Sequence, residues 1–289
     1  MNYRHAFHAA NFADVVKHAA LALLVERLQA KQGALAFLDL FAGPGVYDLE
    51  GEAARKTGEA EAGLFRLWPP PKGELGGLLK PWLDHVAALN GGRGTSRPKL
   101  YPGSPELLRR LLRPQDRLVL AELHEADGAA LRRRYGQDGQ VAVHRRDGFE
   151  ALPALVPPPE RRGLVLIDPP YEQLDEWDRL ARALQRAYRR WPTGVYVVWY
   201  PVKDPSALVP WLGRLRQAVP RRLLQAELSL FDEQPAWRLN GCGLLLVNPP
   251  WRFVDTLEVL LRGLQPLLAR SGGATRVAWL TGEDDQPGT

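Results

Sequence analysis

Leu164-Val165-Leu166-Ile167-Asp168-Pro169-Pro170-Tyr171 is the stretch on which the reading of this chain turns. Four apolar residues in a row suit a strand buried on both faces of a parallel sheet. The strand then ends in a carboxylate, a stiff turn and an aromatic ring. Asp168 and a backbone carbonyl of the turn can accept the two N–H bonds of an exocyclic amine. The prolines fix φ and remove N–H donors, which leaves the turn rigid and rich in acceptors. Tyr171 is suited to stack on a flat base. Enzymes that modify a base extrude it into such a pocket. Asp-Pro-Pro is also ordinary turn chemistry at a strand exit, so the neighbouring segments decide.

Working outward, strands alternate with helices of roughly 10–15 residues, the pattern of a parallel α/β sheet. Strands are expected at 34–40, 117–123, 140–144, 163–167 and 194–200, and helices at 125–135, 175–190 and 205–218. Two strands in close succession, 222–231 and 242–248, predict a hairpin that brings an antiparallel edge strand. The expected core is a mostly parallel, seven-stranded sheet formed by residues 1–50 and 115–289, with 1–30 as an N-terminal tail and helix. Residues 12–30 read as an amphipathic helix with Val15, Val16, Ala19, Leu23 and Leu24 on one stripe. Residues 51–114, rich in Gly, Pro, Trp and Leu with no clear strand pattern, read as a small helical insertion subdomain. Within it Ser104 reads as the N-cap, and Pro105 as the first residue, of a helix over 105–113.

Composition narrows the class. A chain of 289 residues that is 45% hydrophobic can bury a substantial core. A net charge of +5 and a pI near 9.4 suit a polyanionic partner, though weakly for this length. The single cysteine, Cys242, excludes an internal disulfide and a Cys-based zinc site, and suits a reducing cytoplasm. No apolar run approaches a membrane span, and no apolar core of a signal peptide follows Met1. A soluble monomer is expected.

In an open α/β sheet, ligands lie beyond the carboxyl ends of the strands. Asp39 with the Gly43-Pro44-Gly45 loop, Glu122, Asp147 and Asp168 all fall there. The glycine loop is a tight turn that also lets backbone approach a ligand. It lacks the signatures of dinucleotide and P-loop phosphate sites. Glu122, ending the second strand, is placed to take both hydroxyls of a ribose. Asp147 can accept from an adenine amino group, or cap the helix that follows, or both. The order is glycine loop, ribose acid, adenine acid and then Asp-Pro-Pro-Tyr, as in an S-adenosyl-L-methionine (AdoMet) methyltransferase acting on a base amine. Asn248-Pro249-Pro250-Trp251 fits the same motif. It ends the strand read as last and antiparallel, which puts it on the opposite face.

With these residues in view, the chain resembles the RlmJ family of 23S rRNA adenine-N6 methyltransferases. The resemblance covers nearly the whole chain. It runs from Tyr3-Arg4-His5, Asn11, Asp14 and Lys17-His18 through Tyr101-Pro102-Gly103-Ser104-Pro105 and Glu122-Leu123-His124 to the Asp168 turn, Trp199-Tyr200-Pro201 and Asn248-Pro249-Pro250-Trp251. It implies a Rossmann-like class I AdoMet-dependent fold and methylation of adenine(2030) of 23S rRNA. Together with the strand-end reading it implies AdoMet contacts from Lys17, His18, Asp39, Phe41, Gly43, Ser104, Glu122, Asp147, Gly148 and Asp168. It implies catalysis by Asp168, Pro169, Pro170 and Tyr171, and RNA contacts from Tyr3, Arg4, His5 and Tyr171. No metal is expected. The chain departs from the family pattern at Phe41, where the family has a histidine; a hydrogen bond to the cofactor is lost there. The competing readings are a DNA adenine or protein glutamine methyltransferase, and a nucleic acid-binding protein that holds AdoMet without turnover. Arg132-Arg133-Arg134 and Arg145-Arg146 are candidate phosphate contacts or plain solvated faces.

Overall fold

The structure is a computed structural model that describes residues 5–92, 94–233, 235 and 237–282. The strands in chain order are β1 (Ala36–Asp39), β2 (Val46–Asp48), β3 (Leu100–Pro102), β4 (Arg117–Ala121), β5 (Val141–His144), β6 (Gly163–Ile167), β7 (Val195–Val202), β8 (Leu223–Ser229), β9 (Gly241–Val247) and β10 (Thr275–Thr281). The α-helices are α1 (Phe12–Gln29), α2 (Glu52–Thr57), α3 (Gly73–Leu89), α4 (Ser104–Leu111), α5 (Glu125–Tyr135), α6 (Gly148–Leu155), α7 (Glu176–Arg190), α8 (Pro205–Ala218) and α9 (Phe253–Leu268).

The main sheet has eight strands in the order β10-β8-β9-β7-β6-β1-β4-β5. The run β7-β6-β1-β4-β5 is parallel. The β8–β9 hairpin is present, but β9 inserts between β7 and β8 and pairs antiparallel with both. The antiparallel strand expected at the edge is therefore interior. An eighth strand, β10, pairs antiparallel with β8 and forms that edge. Its sequence, Thr-Arg-Val-Ala-Trp-Leu-Thr, is largely exposed and carries no regular alternation, so it gave no strand signal.

Two apolar layers sandwich the sheet. One joins α1, α3 and α9 to Phe37, Leu118, Leu164 and Leu244. The other joins α6, α7 and α8 to Leu38, Val165, Ile167 and Val198. Successive strand residues point to opposite faces, so a strand buried on both sides needs an unbroken apolar run. β6 and β9 are buried at every position.

Helix α1 differs from the amphipathic reading: Phe12 through Val25 are all buried. Helices α3, α4 and α9 pack around it and remove its solvent face. Asn11 caps it, its Oδ1 accepting from the Ala13 and Asp14 amides, both at 2.9 Å. In the segment read as strandless, β3 pairs antiparallel with β2 and joins the start and end of the helical excursion. Gly103, not Ser104, is the N-cap of α4; Ser104 is its first residue. The Ser104 side chain therefore makes no capping bond.

A candidate cofactor and base-amine site

The carboxyl ends of β5, β4, β1 and β6 open into a cleft of about 1150 Å³ including its mouth. Its walls include Lys17, His18, Phe41, Gly43, Ser104, Glu122, Asp147, Gly148, Asp168, Pro169 and Pro170. Residues far apart in sequence thus converge because four adjacent parallel strands end side by side.

At the end of β1, Asp39 is fully buried and neither carboxylate oxygen has a well-formed hydrogen bond. Burial pushes its pKa up to about 7; nearby Ser104 and Lys17 offset this only in part, and Asp168 adds to it. Gly43 follows at φ +64°, where a Cβ would meet the Tyr47 hydroxyl at 2.5 Å. The Gly43 amide donates to Glu122 at 2.7 Å, and the His124 amide donates to the other Glu122 oxygen at 2.6 Å. These bonds partly offset burial, which still raises the Glu122 pKa. Each oxygen keeps a lone pair for a further donor.

Asp147 caps α6 through bonds from the Phe149 and Glu150 amides at 2.8 and 3.2 Å. Its other oxygen accepts from Arg179 on α7 at 2.7 Å. The Arg179 guanidinium lies 4.6 Å from the centre of the Phe149 ring. The capping oxygen of Asp147 is thus filled, while the oxygen that meets Arg179 keeps one lone pair for a further donor. Gly148 is tightly enclosed: a Cβ would fall 2.3 Å from the Leu40 carbonyl oxygen and 2.6 Å from the Phe41 ring. Phe41 packs edge-on against Phe149 with ring centres 5.0 Å apart.

At the end of β6, Asp168 accepts from Lys17 at 2.6 Å, and the same ammonium donates to Asp14 at 2.8 Å. Asp14 also accepts from His5 at 2.9 Å and from the Ala10 amide at 2.8 Å. Burial alone would deprotonate Lys17, but the two carboxylates outweigh it and raise its pKa. Burial would likewise raise Asp14, but His5 and Lys17 hold it well below the ordinary carboxylate range. One Asp168 oxygen is thereby anchored and the other is left toward the cleft. The next residue on α1, His18, bonds through Nδ1 to the Tyr101 hydroxyl at 2.7 Å, while its buried Nε2 has no partner. Burial first, then the Lys17 charge, pushes the His18 pKa down to about 3, so the ring is neutral.

Tyr171 meets a different environment from the stacking role read for it. It does not line the cleft. Its hydroxyl donates to the Trp199 carbonyl at 2.7 Å, and its ring centre lies 4.3 Å from that of Trp177. Its φ of +53° is unusual for a bulky residue and marks a constrained turn. His5 does line the cleft, whereas Tyr3 and Arg4 lie outside the described residues. The second motif stands where its strand direction puts it: Asn248 donates to the Pro192 and Gly194 carbonyls, both at 2.8 Å, at the opposite end of the sheet. β10 follows it, so β9 is not the last strand.

Sequence reading missed Tyr47 and Arg179 as cleft residues, and it gave no role to Asp14. Arg179 sits on a solvated helix with regularly spaced arginines, and nothing local sets it apart. Among the described residues, no group of three or more His, Cys, Asp or Glu side chains is arranged to hold a metal ion. No helix among them is long and apolar enough to cross a membrane.

Comparison with known proteins agrees with this geometry. The family described as "Ribosomal RNA large subunit methyltransferase D, RlmJ" matches residues 32–281. The chain belongs to the RlmJ family. Ribosomal RNA large subunit methyltransferase J of Escherichia coli (strain K12) is 36% identical over 284 residues, covering 98% of this chain and 100% of that protein. The Haemophilus influenzae protein of the same description is 37% identical over the same coverage. The crystal structure of protein LPL1258 from Legionella pneumophila superposes with a TM-score of 0.84 at 32% identity, covering 94% of this chain and 98% of that one. This RlmJ-family chain has the Rossmann-like fold of class I methyltransferases. Strands β5-β4-β1-β6-β7-β9-β8 form its sheet, and β10 is added at the edge.

Proposed function

We propose that this chain methylates N6 of a single adenine, adenine(2030), in 23S rRNA, with AdoMet as methyl donor. Family membership makes it an rRNA methyltransferase. The observation that carries the finer reading is the convergence of Glu122, Asp147 and Asp168 on one cleft, with Asp39 buried at the end of the strand between them. The fit to AdoMet rests on unmet polar groups. The orphaned carboxylate of Asp39 suits a cation, and AdoMet carries both an ammonium and a sulfonium. The unpartnered Nε2 of His18 and the spare lone pairs of Glu122 are further unused contacts.

AdoMet, when bound, supplies the activated methyl group. The chain's own residues position the rest. Glu122 takes the ribose hydroxyls. Asp147 takes the adenine amine on the oxygen it shares with Arg179, and Phe41 and Phe149 flank that place. Asp168 and the Pro169 carbonyl hold the N6 amine of a flipped base, so that its lone pair points along the line of attack. The N6 proton passes to the free oxygen of Asp168, whose other oxygen stays bonded to Lys17. Tyr171 braces the turn from behind. The helical segment 51–114 and the tail with Tyr3, Arg4 and His5 face the RNA in this reading.

The test is tritium transfer from labelled AdoMet to unmodified 23S rRNA, to ribosomal particles and to DNA, followed by nuclease digestion and mass spectrometry. N6-methyladenosine at one site of 23S rRNA is expected. Asp168→Ala is expected to abolish transfer while AdoMet still binds. Near-wild-type turnover by that variant, or labelling of DNA in preference to rRNA, refutes the assignment.

A further inference from the structure

The β8–β9 hairpin holds a feature that the cleft does not use. Because β8 runs parallel to β7, the tip that follows it, described at 230–233, 235 and 237–240, emerges at the same end of the sheet as Asp168. Trp237 stands on this tip and is 82% exposed. A single exposed ring is ordinary surface by itself; what sets this one apart is the cation held beside it. Beside it the Arg238 guanidinium lies 3.4 Å from the centre of the Phe231 ring and 5.6 Å from that of Trp237. Bonds from Arg238 to Asn240 at 2.9 Å and to the Glu233 carbonyl at 2.9 Å fix the guanidinium plane. The result is a flat, cationic stacking platform.

A groove runs from this platform past Arg270 to Asn11 and Phe12, at the start of α1. Among the described residues neither Arg238 nor Arg270 pairs with a carboxylate. The acid in the groove, Glu59, is met by His8 at 2.9 Å and Asn11 at 3.0 Å. At the tip, Asp232 accepts from the Gly273 amide at 2.9 Å. Within the groove the unpaired charge is that of Arg238 and Arg270, while the tip beside it also carries the exposed acids Asp232 and Glu233. Its far end reaches the first turn of α1, which carries Asp14, and one turn on Lys17 meets Asp168.

We propose that this hairpin tip and groove bind the single-stranded RNA flanking the target adenine, with a neighbouring base stacked on Trp237 and phosphates met by Arg238 and Arg270. The inference rests on the RNA substrate of the proposed function. Bases stack on exposed aromatic rings without sequence preference, and unpaired arginines meet the backbone. A splayed single strand is the RNA form that leaves bases free for such a platform.

The test compares wild type with Trp237→Ala, Trp237→Phe and Arg270→Ala, all at exposed positions. Tritium transfer gives kcat and KM for a 23S rRNA transcript, and anisotropy gives the affinity for a fluorescein-labelled single-stranded RNA. Trp237→Ala is expected to raise the RNA KM about tenfold with kcat and AdoMet affinity unchanged. Trp237→Phe is expected to restore most of the loss, and Arg270→Ala to reduce the salt slope of RNA binding by roughly one. An unchanged KM and RNA affinity in Trp237→Ala overturns the inference and points to a protein partner for the ring. If wild type transfers no label to rRNA, the proposed function fails. The anisotropy arm then decides alone, with weaker RNA binding by Trp237→Ala upholding the platform and equal binding refuting it.

Discussion

Asp39→Asn is expected to make the free protein more stable and the cofactor complex weaker. Asp39 is fully buried, its oxygens lack good partners, and its pKa is pushed up to about 7. An acid whose folded pKa is raised contributes stability that is present below its unfolded value, near 3.9, and lost as pH rises through the folded one. Between pH 5 and pH 7 wild type therefore loses up to about 1.4 kcal/mol per unit through this group, or about 2.3 kcal/mol in all, the slope falling off as Asp39 ionises. The amide variant cannot ionise and does not share this loss. Its stability relative to wild type should rise by about 2–3 kcal/mol from pH 5 to pH 8, less what an unmet amide costs at either pH. Urea unfolding at both pH values without AdoMet measures this. Calorimetry should show AdoMet affinity falling at least tenfold, because a charge-assisted bond to a cation contributes about 1.5–3 kcal/mol. The reasoning fails if the variant's relative stability is the same at both pH values, or if AdoMet binds it as tightly as wild type.

Lys17→Met leaves the buried Asp14 carboxylate with only His5 and the Ala10 amide and frees Asp168; a loss of about 3 kcal/mol in denaturant unfolding is expected, together with loss of methyl transfer. The double variant Lys17→Met/Asp14→Asn should recover most of the stability but not the transfer, and recovered transfer would show that Lys17 serves only to neutralise Asp14. His18, whose pKa is pushed down to about 3, contributes stability that is present above its unfolded value near 6.5 and is lost as pH falls toward 3. His18→Gln should remove a decline of about 2 kcal/mol between pH 7 and pH 5 in urea midpoints, leaving the opposite slope of Asp39 exposed. Gly148→Ala forces a Cβ against the Leu40 carbonyl and the Phe41 ring; thermal unfolding should show a loss of about 1–3 kcal/mol, and an unshifted midpoint would mean the loop is looser than the contacts indicate.

What was legible in the sequence were the strand ends. Asp39, Glu122, Asp147 and Asp168 each follow a short apolar run, and the geometry of a parallel sheet brings such ends together. What was not legible depended on distant partners. The burial of α1 requires α3 and α9 to close over it, and no periodicity within 12–29 shows that. The Arg179–Asp147 pair spans 32 residues and sits on a helix whose arginines look alike. The inward set of Tyr171 comes from Trp177 and Trp199 as much as from its own turn. β10 escaped because an edge strand with one face in solvent and no alternation carries little signal.

The electrostatics of the cleft explain how a basic protein can hold a cationic cofactor beside a polyanion. The chain carries a net charge of +5, yet the cleft wall has the reverse sign. Asp39, Glu122, Asp147 and Asp168 face it or lie just behind it. Lys17 is shared between two carboxylates, and Arg179 is bound to Asp147. His18, also in the wall, is held neutral by burial, and His5 is bonded to Asp14. The interior thus favours the ammonium and sulfonium of AdoMet and disfavours phosphate. Arg238 and Arg270, neither bonded to a carboxylate among the described residues, lie outside the cleft, along the groove beside the hairpin tip. In the proposed reading RNA lies along that groove by its phosphates, and an uncharged base enters the acidic cleft. Charge sorting of this kind, in the same proposed reading, favours entry of a flipped adenine and disfavours entry of its phosphates.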